Sequence, residues 1–367
     1  MIIRTITCHN VNNFGASLQA WALCEYLRRQ GHDVKVIDFI NQAPVPGTTP
    51  PQRSRKRAII EHSILRPIGR AIERWRQRYW TPRWRRFGKF LQLIPQTERY
   101  TSLEELRKNP PEADLYIAGS DQIWNVRAPE GNNPAYFLDF GDDNTRRASY
   151  AASFASSTLP DGTADIISER LKRLDYISVR ESSGLDILNS LGHKGTLVVD
   201  PVFLIPRADW DTLADKSEVK GHGKYILLYA FDAGELIMRT ARKISRATGW
   251  PIISVTPRRL SGVSHNCPIA GPLEFLSLAR GASLKLSESF HALAFGMIFN
   301  VPFFAFQRKE NLNARLTDFL TTIGLSDRLV TTDSTPLPLT LDFSKPEAIL
   351  SNLRDESVAY LDRITAP

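Results

Sequence analysis

The sequence predicts an α/β protein with two Rossmann-like domains facing each other across a cleft. Three observations carry this. The chain has 367 residues, 42% of them apolar, enough for two cores rather than one. Short β-branched segments alternate with segments of helical periodicity, the pattern of parallel sheets built from βαβ units. The alternation stops between Pro201 and Gly223, where Pro, Asp and Gly cluster, and then begins again. The expected N-terminal domain is 1–205, with an insertion over about 41–100. The second domain is 206–344, and the helix of 345–367 could cross back to the first.

The opening unit is the clearest. "IIRTIT" reads as a strand and "HNVNNFG" as a polar turn. "ASLQAWALCEYLRRQG" sets Leu18, Trp21, Ala22, Cys24 and Leu27 at helical spacing before Gly31, a good helix-ending residue. "DVKVIDF" is the second strand, reached by a right-handed crossover. The insertion opens with "NQAPVPGTTPPQ" and is partly helical further on. Strand and helix segments resume with "ADLYIAGSDQIWN", "RRASYAAS", "DIISERLKRL", "YISVRES", "SGLDILNSLG" and "TLVVDPVFL". The second run comprises strand "KYILLYAF", a helix near Leu236–Thr248, strand "PIISVT", helix "PLEFLSLARGA", strand "SLKLSES", helix "FHALAFGMIFN", strand "PFFAF" and helix "NLNARLTDFLTTIG". A last helix falls near Lys345–Ile364.

The net charge of +8 is local. Residues 53–86 hold twelve basic side chains against Glu61 and Glu73, so this window carries +10 and the rest of the chain −2. Trp75, Tyr79, Trp80 and Trp84 are interleaved. A basic amphipathic helix with such aromatics suits an anionic membrane surface; a solvated cover over the cleft is the plainer alternative. No helix-turn-helix or RNA-binding fingerprint is present, so no nucleic-acid partner is expected. No apolar run reaches the roughly 18 residues of a membrane span, and no signal peptide is evident. A cytoplasmic protein is expected, with peripheral contact at the inner membrane surface through 53–86. Cys8, Cys24 and Cys267 suit neither a disulfide framework nor zinc and should be reduced and buried. No His/Asp/Glu cluster has metal-ligand spacing, and no cofactor is expected.

Active sites of such sheets lie beyond the carboxyl ends of the strands, which selects the candidate residues. Asn13 and Gly15 stand where a turn enters a helix N-terminus, a place for an anion or a sugar hydroxyl, or simply a tight turn; there is no GxGxxG. "AGSDQIWN" offers Ser120, Asp121, Trp124 and Asn125. A carboxylate there can hold a sugar hydroxyl or take its proton, and an indole can stack on a sugar ring; a helix cap is the plainer account. Arg180 ends the strand "YISVR" and has the fork that grips phosphate or carboxylate, unless it merely pairs with Glu181. His291 follows the strand ending at Ser287–Ser289, near a helix start, where an imidazole can act as a general acid. Arg308, Lys309 and Arg315 could complete an anion site.

Taken in order, "NNFGASLQAWALCEYLRRQGHDVKVIDF", "LYIAGSDQIWN", "YISVRESSGLDIL", "VVDPVFL" and "SFHALAFGMIFNVPFF" with the following "NAR" resemble the polysaccharide pyruvyl transferase family. The resemblance covers nearly the whole chain except the basic insertion and the last thirty or so residues. It implies a fold like that of the two-domain GT-B glycosyltransferases. It also implies transfer of the enolpyruvyl carbons of phosphoenolpyruvate, a co-substrate, onto two hydroxyls of one sugar, giving a cyclic ketal in exopolysaccharide biosynthesis. On this resemblance His291 is the general acid and Arg180 a donor-binding residue, with Arg315, Ser289 and Lys309 beside it. Asp121 is catalytic, and Asn13, Ser120, Trp124 and Asn125 meet the acceptor, a sugar or lipid-linked oligosaccharide. One departure concerns the donor: some members carry an arginine two residues before the histidine, where this chain has Ser289. Arg315, Arg258 or Lys309 would then hold the anion. Ala292 also stands where a glycine is common. The alternative activity is a GT-B glycosyltransferase using a nucleotide sugar, with Glu274 and the Ser287 strand end contacting ribose and phosphates.

Overall fold

The computed structural model describes residues 1–40, 81–128, 131–231, 233–308 and 314–366. Its described elements form two all-parallel sheets. The first has the order β3-β2-β1-β4-β5-β6-β7. These strands are β1 (Ile2–Ile6), β2 (Asp33–Phe39), β3 (Gln96–Tyr100), β4 (Leu115–Asp121), β5 (Arg146–Ala152), β6 (Ser178–Val179) and β7 (Thr196–Leu197). The second has the order β10-β9-β8-β11-β12-β13. It is built from β8 (Ile226–Tyr229), β9 (Ile252–Ser254), β10 (His265–Asn266), β11 (Leu284–Ser287), β12 (Phe303–Phe306) and β13 (Leu329–Val330). The central strands are buried on both faces, which is why they read as continuous apolar runs.

Each order reverses once, between β1 and β4 in the first sheet and between β8 and β11 in the second. Such a reversal leaves a crevice at the carboxyl edge. Helix α1 (Phe14–Arg29) leaves the first crevice. Its C-terminal end is closed by Gly31, whose φ of 88° is one that L side chains rarely adopt.

Helices on the two sheets share one apolar core. Phe14, the first residue of α1, stacks on Phe275 of the helix Pro272–Gly281 at 4.7 Å. Trp21 meets Trp210 at 5.0 Å, and Trp210 meets Phe295 at 4.9 Å. The last helix (Ser344–Thr365) returns to the first sheet: the Tyr360 hydroxyl donates to Ser149 O at 2.8 Å, and Ser357 Oγ accepts from Val199 N at 2.8 Å.

Three segments differ from the sequence reading. A helix, Arg207–Asp215, lies in the Pro-, Asp- and Gly-rich junction, anchored by buried Trp210 and Leu213. β3 lies inside the stretch expected to be irregular; its exposed edge residues hide the apolar alternation, and only Tyr100 is buried. "TLVVDPVFL" is a strand only at Thr196–Leu197, because Asp200 caps a 3-10 turn over Pro201–Leu204.

The basic segment reaches the described structure only from residue 81. There α2 (Thr81–Leu91) packs Arg83 inward, while Arg85 is exposed. Arg83 lies 4.7 Å above the Phe14 ring and 5.2 Å from that of Phe87, and it donates to Pro268 O at 3.1 Å. Arg86 donates to Ile269 O at 3.3 Å. Residues 53–80 lie outside the described residues. No described helix is long and apolar enough to cross a membrane. The three cysteines form no disulfide; Cys24 is buried, whereas Cys8 and Cys267 are only half-buried.

Candidate active site

The site begins at the end of β4. Thr7, just past β1, donates its hydroxyl to Ser120 O at 2.8 Å, tying the two strand ends together. Asp121 follows with φ of 68°, left-handed backbone that a non-glycine residue holds only where its surroundings fix it. Its surroundings are charged: Asp121 Oδ1 accepts from Arg180 Nη2 at 3.1 Å.

Arg180, just past β6, is the hub. Besides Asp121, its Nη1 donates to Asp200 Oδ2 at 2.5 Å and its Nε to Glu181 Oε1 at 3.0 Å. Its guanidinium also lies 4.8 Å from the Phe290 ring. The side chain is 1% exposed. Burial alone would make this cation easier to discharge, but the charges of Glu181, Asp200 and Asp121 reverse that and hold it firmly protonated. The same balance acts on the aspartates. Burial raises them, but Arg180 and His291 more than compensate, so both Asp121 and Asp200 titrate below the usual carboxylate range. Glu181 goes the other way: burial outweighs Arg180 and Arg315, and its carboxyl is pushed above the ordinary range.

His291 enters from the second sheet, one residue into the helix α9 (Phe290–Phe299; numbering the described helices in chain order). Its Nε2 faces Asp200 Oδ2 at 3.3 Å, an ion-pair contact without hydrogen-bond alignment. Ser120 Oγ reaches the same carboxylate oxygen at 3.4 Å. The other side of the imidazole lies on α1: a Cβ built on Gly15 would sit 1.9 Å from His291 Nδ1. Ser289 heads α9 without a cap bond from its own side chain, and its N–H donates to Ser287 Oγ at 3.0 Å.

Arg315 completes the cluster. Its Nη1 lies 3.6 Å from Asp121 Oδ1. The amide oxygen of Gln122 accepts from its terminal nitrogens at 2.5 and 2.8 Å in the orientation the hydrogen bonding requires. Burial and the neighbouring Arg180 charge bring its pKa down to about 10.

Comparison with known proteins gives a family and a fold. The family model described as polysaccharide pyruvyl transferase matches residues 13–310. The chain belongs to that family. No curated protein matches the chain at a significant level. Among solved structures, the UDP-GlcNAc 2-epimerase of Methanocaldococcus jannaschii superposes with a TM-score of 0.50 at 14% identity, covering 97% of this chain and 93% of its own. The Neisseria meningitidis UDP-GlcNAc 2-epimerase, bound to UDP-GlcNAc, gives 0.50 at 11% identity, covering 99% and 93%. These likenesses show the fold alone, a GT-B-like pair of domains.

In this transferase, the fold brings His291, Asp121, Ser120, Arg180 and Arg315 together. Of the expected acceptor residues, Ser120 joins this cluster, whereas Trp124 goes to the core. Trp124 is fully buried, stacked on Phe137 at 5.5 Å with its Nε1 donating to Tyr136 O at 3.0 Å, so its ring has no free face for a sugar. Asn125 braces the turn, its Oδ1 accepting from Arg127 N at 3.1 Å. Asn13 caps α1: its Oδ1 accepts from Gly15 N at 3.0 Å with extended backbone. Arg258 is exposed, and Lys309 lies outside the described residues. Asp200 was missed, although it was visible as an acidic residue just past a strand end. Glu181 pairs with Arg180, the plainer of the two readings of that arginine. Gly15, expected in the turn, is the second residue of α1, where a glycine weakens the helix unless something needs the space.

Proposed function

We propose that the chain moves the enolpyruvyl group of phosphoenolpyruvate onto two hydroxyls of one sugar, releasing phosphate and forming a cyclic pyruvate ketal for an exopolysaccharide. The observation that carries this reading is the position of His291: within the matched residues, 3.3 Å from Asp200, where the carboxyl edges of the two sheets meet.

The chemistry follows from the residues. His291 as imidazolium gives a proton to the methylene carbon of the donor, making it a methyl group and leaving an oxocarbenium-like centre at the neighbouring carbon. One sugar hydroxyl adds there, and its proton returns to the imidazole. Phosphate departs with the C–O bond electrons, and the second hydroxyl closes the ring, its proton leaving with phosphate. Asp121, held ionised, orients the hydroxyls; its depressed pKa makes it a weak base. The donor's negative charge falls to Arg315 and the first turn of α9 at Ser289, with Lys309 as a further candidate. Arg180 has each of its nitrogens committed to a carboxylate, which favours a role in holding the cluster over direct grip on the donor.

The nucleotide-sugar alternative is less well supported. Glu274 Oε2 is committed to Gly271 N at 2.8 Å, and the Ser287 hydroxyl donates to Tyr229 O at 2.6 Å. The acceptor in this proposal is a sugar or a lipid-linked oligosaccharide at the inner membrane surface. Deleting residues 53–80, which spares the Arg83 contact, should reduce sedimentation with anionic vesicles; unchanged sedimentation refutes the membrane contact.

The deciding experiment incubates the protein with phosphoenolpyruvate and glycolipid from its source. Acceptor-dependent phosphate release should accompany a glycan mass gain of one pyruvyl ketal, and its absence with every glycan refutes the reading. His291→Ala should lower turnover by about 10²- to 10⁴-fold with the fold intact.

A further inference from the structure

Three features of the site have no explanation in the proposed chemistry alone. Gly15 lies inside α1, where alanine would be the better helix former. The heavy atoms nearest a Cβ built there are the Nδ1, Cγ and Cε1 atoms of His291, at 1.9, 2.4 and 2.6 Å. Finally, Asp200 is buried at a site reached by both Arg180 and His291, though it follows β7 of the first sheet and His291 follows β11 of the second.

We propose that Gly15 and Asp200 are positioning residues that seat His291 from across the cleft, so that the proton donor of one domain is aligned only by docking on the other. The imidazole is gripped at two points. Asp200 Oδ2 faces Nε2, and the bare Cα of Gly15 lets the ring lie flat against the first turn of α1. The parts that hold these two points are rigid. Asp200 Oδ1 accepts from Val202 N at 3.2 Å, and its Oδ2 from Arg180 Nη1 at 2.5 Å. Phe14, next to Gly15, is stacked on Phe275 of the second domain at 4.7 Å. Closure of the two sheets and alignment of the imidazole are therefore a single event. A general acid must be aligned with the atom it protonates, and a small misplacement costs rate steeply.

Calling His291 the acid rests on the function proposed above, but its seat can be tested separately. The first arm measures diethyl pyrocarbonate modification of His291 by peptide mass spectrometry in the full chain. Wild-type His291 is 5% exposed and should react slowly. Gly15→Ala and Asp200→Asn should each react about tenfold faster, because the ring is pushed or released into the cleft. Rates within about twofold of wild type overturn the seat, whatever the reaction proves to be. The second arm follows melting midpoints. Gly15→Ala should lower the midpoint in the wild-type background and raise it in the His291→Ala background, where the clash is gone and only the helix preference remains. The same sign in both backgrounds overturns the proposal. The third arm is kinetic. Gly15→Ala should cut kcat by about 10²-fold while donor KM stays within about twofold, a split that general loosening of the fold does not produce. If the wild type turns over no phosphoenolpyruvate, the proposed function falls, and the first two arms still decide the seat.

Discussion

Arg180 and Arg83 both bury their side chains and are opposite in kind. The Arg180 side chain is 1% exposed and Arg83 is 1% exposed. Arg180 sits among Asp121, Glu181 and Asp200, and their charges more than offset the cost of its burial. Arg83 sits beside the stacked rings of Phe14 and Phe87 with a backbone carbonyl as acceptor, and burial brings its pKa down to about 10. The difference separates two uses of one side chain. At the cleft the cation holds three carboxylates together, with His291 beside Asp200 and Arg315 beside Asp121. In α2, the strap to the second domain, its guanidinium lies beside the stacked Phe14 and Phe87 rings and ties that helix to Pro268 O.

The sharpest test of this contrast is Arg180→Met. It leaves three buried carboxylates facing one another and should cost about 3–5 kcal/mol in denaturant melts, the scale of a broken buried ion pair. The loss should depend on pH. In the wild type, the depressed Asp121 and Asp200 contribute stability that is complete above their unfolded value of 3.8 and is lost as pH falls through their folded values. Without Arg180 that contribution shrinks to what His291 and Arg315 supply, and protonation relieves the repulsion. The gap between wild type and variant should be widest near neutrality and narrow toward about pH 4. A gap that stays constant across that range would show that Arg180 acts by packing, as Arg83 does.

These two arginines also show what was legible in the sequence. The fold class, the first βαβ unit and most of the second domain followed from periodicity, because buried parallel strands and amphipathic helices imprint their spacing on the chain. The cluster was legible in part: Arg180, Asp121 and His291 stand at strand ends, and strand ends define the cleft. Asp200 was harder, because its partners Ser120 and His291 are distant in sequence and only the sheet order unites them. Trp124 was misjudged because an aromatic just past a strand end can turn either to the cleft or to the core; here Phe137 and Phe154 take it into the core. Arg83 was grouped with a basic surface because charge alone does not say whether an arginine faces water or a neighbour's carbonyl.

Arg315 is the intermediate case. It lies 3.6 Å from Asp121, yet burial and the Arg180 charge outweigh that carboxylate. Its positive charge is the least compensated in the cluster, which suits a group that awaits an anion. Arg315→Met should therefore change stability little while raising donor KM about 10- to 100-fold, the value of one charge-assisted contact of about 1.5–3 kcal/mol. A large stability loss with unchanged KM would move Arg315 to the structural side of the comparison.

The smallest effect belongs to Arg83→Met. The thioether keeps contact with Phe14 and Phe87, the desolvated charge disappears, and one hydrogen bond to Pro268 O is lost. Replacing a buried charge by an apolar side chain of similar length is often neutral, so the change should stay within about 1 kcal/mol. It should also be flat with pH. Arg83 titrates only near 10, so it is protonated throughout the range from about pH 4 to about pH 8, and no carboxylate depends on it. Arg83→Ala provides the control, because truncation removes the packing as well and should cost about 2–3 kcal/mol more. If methionine proves as costly as alanine, the charge itself holds the strap, and the two buried arginines are alike after all.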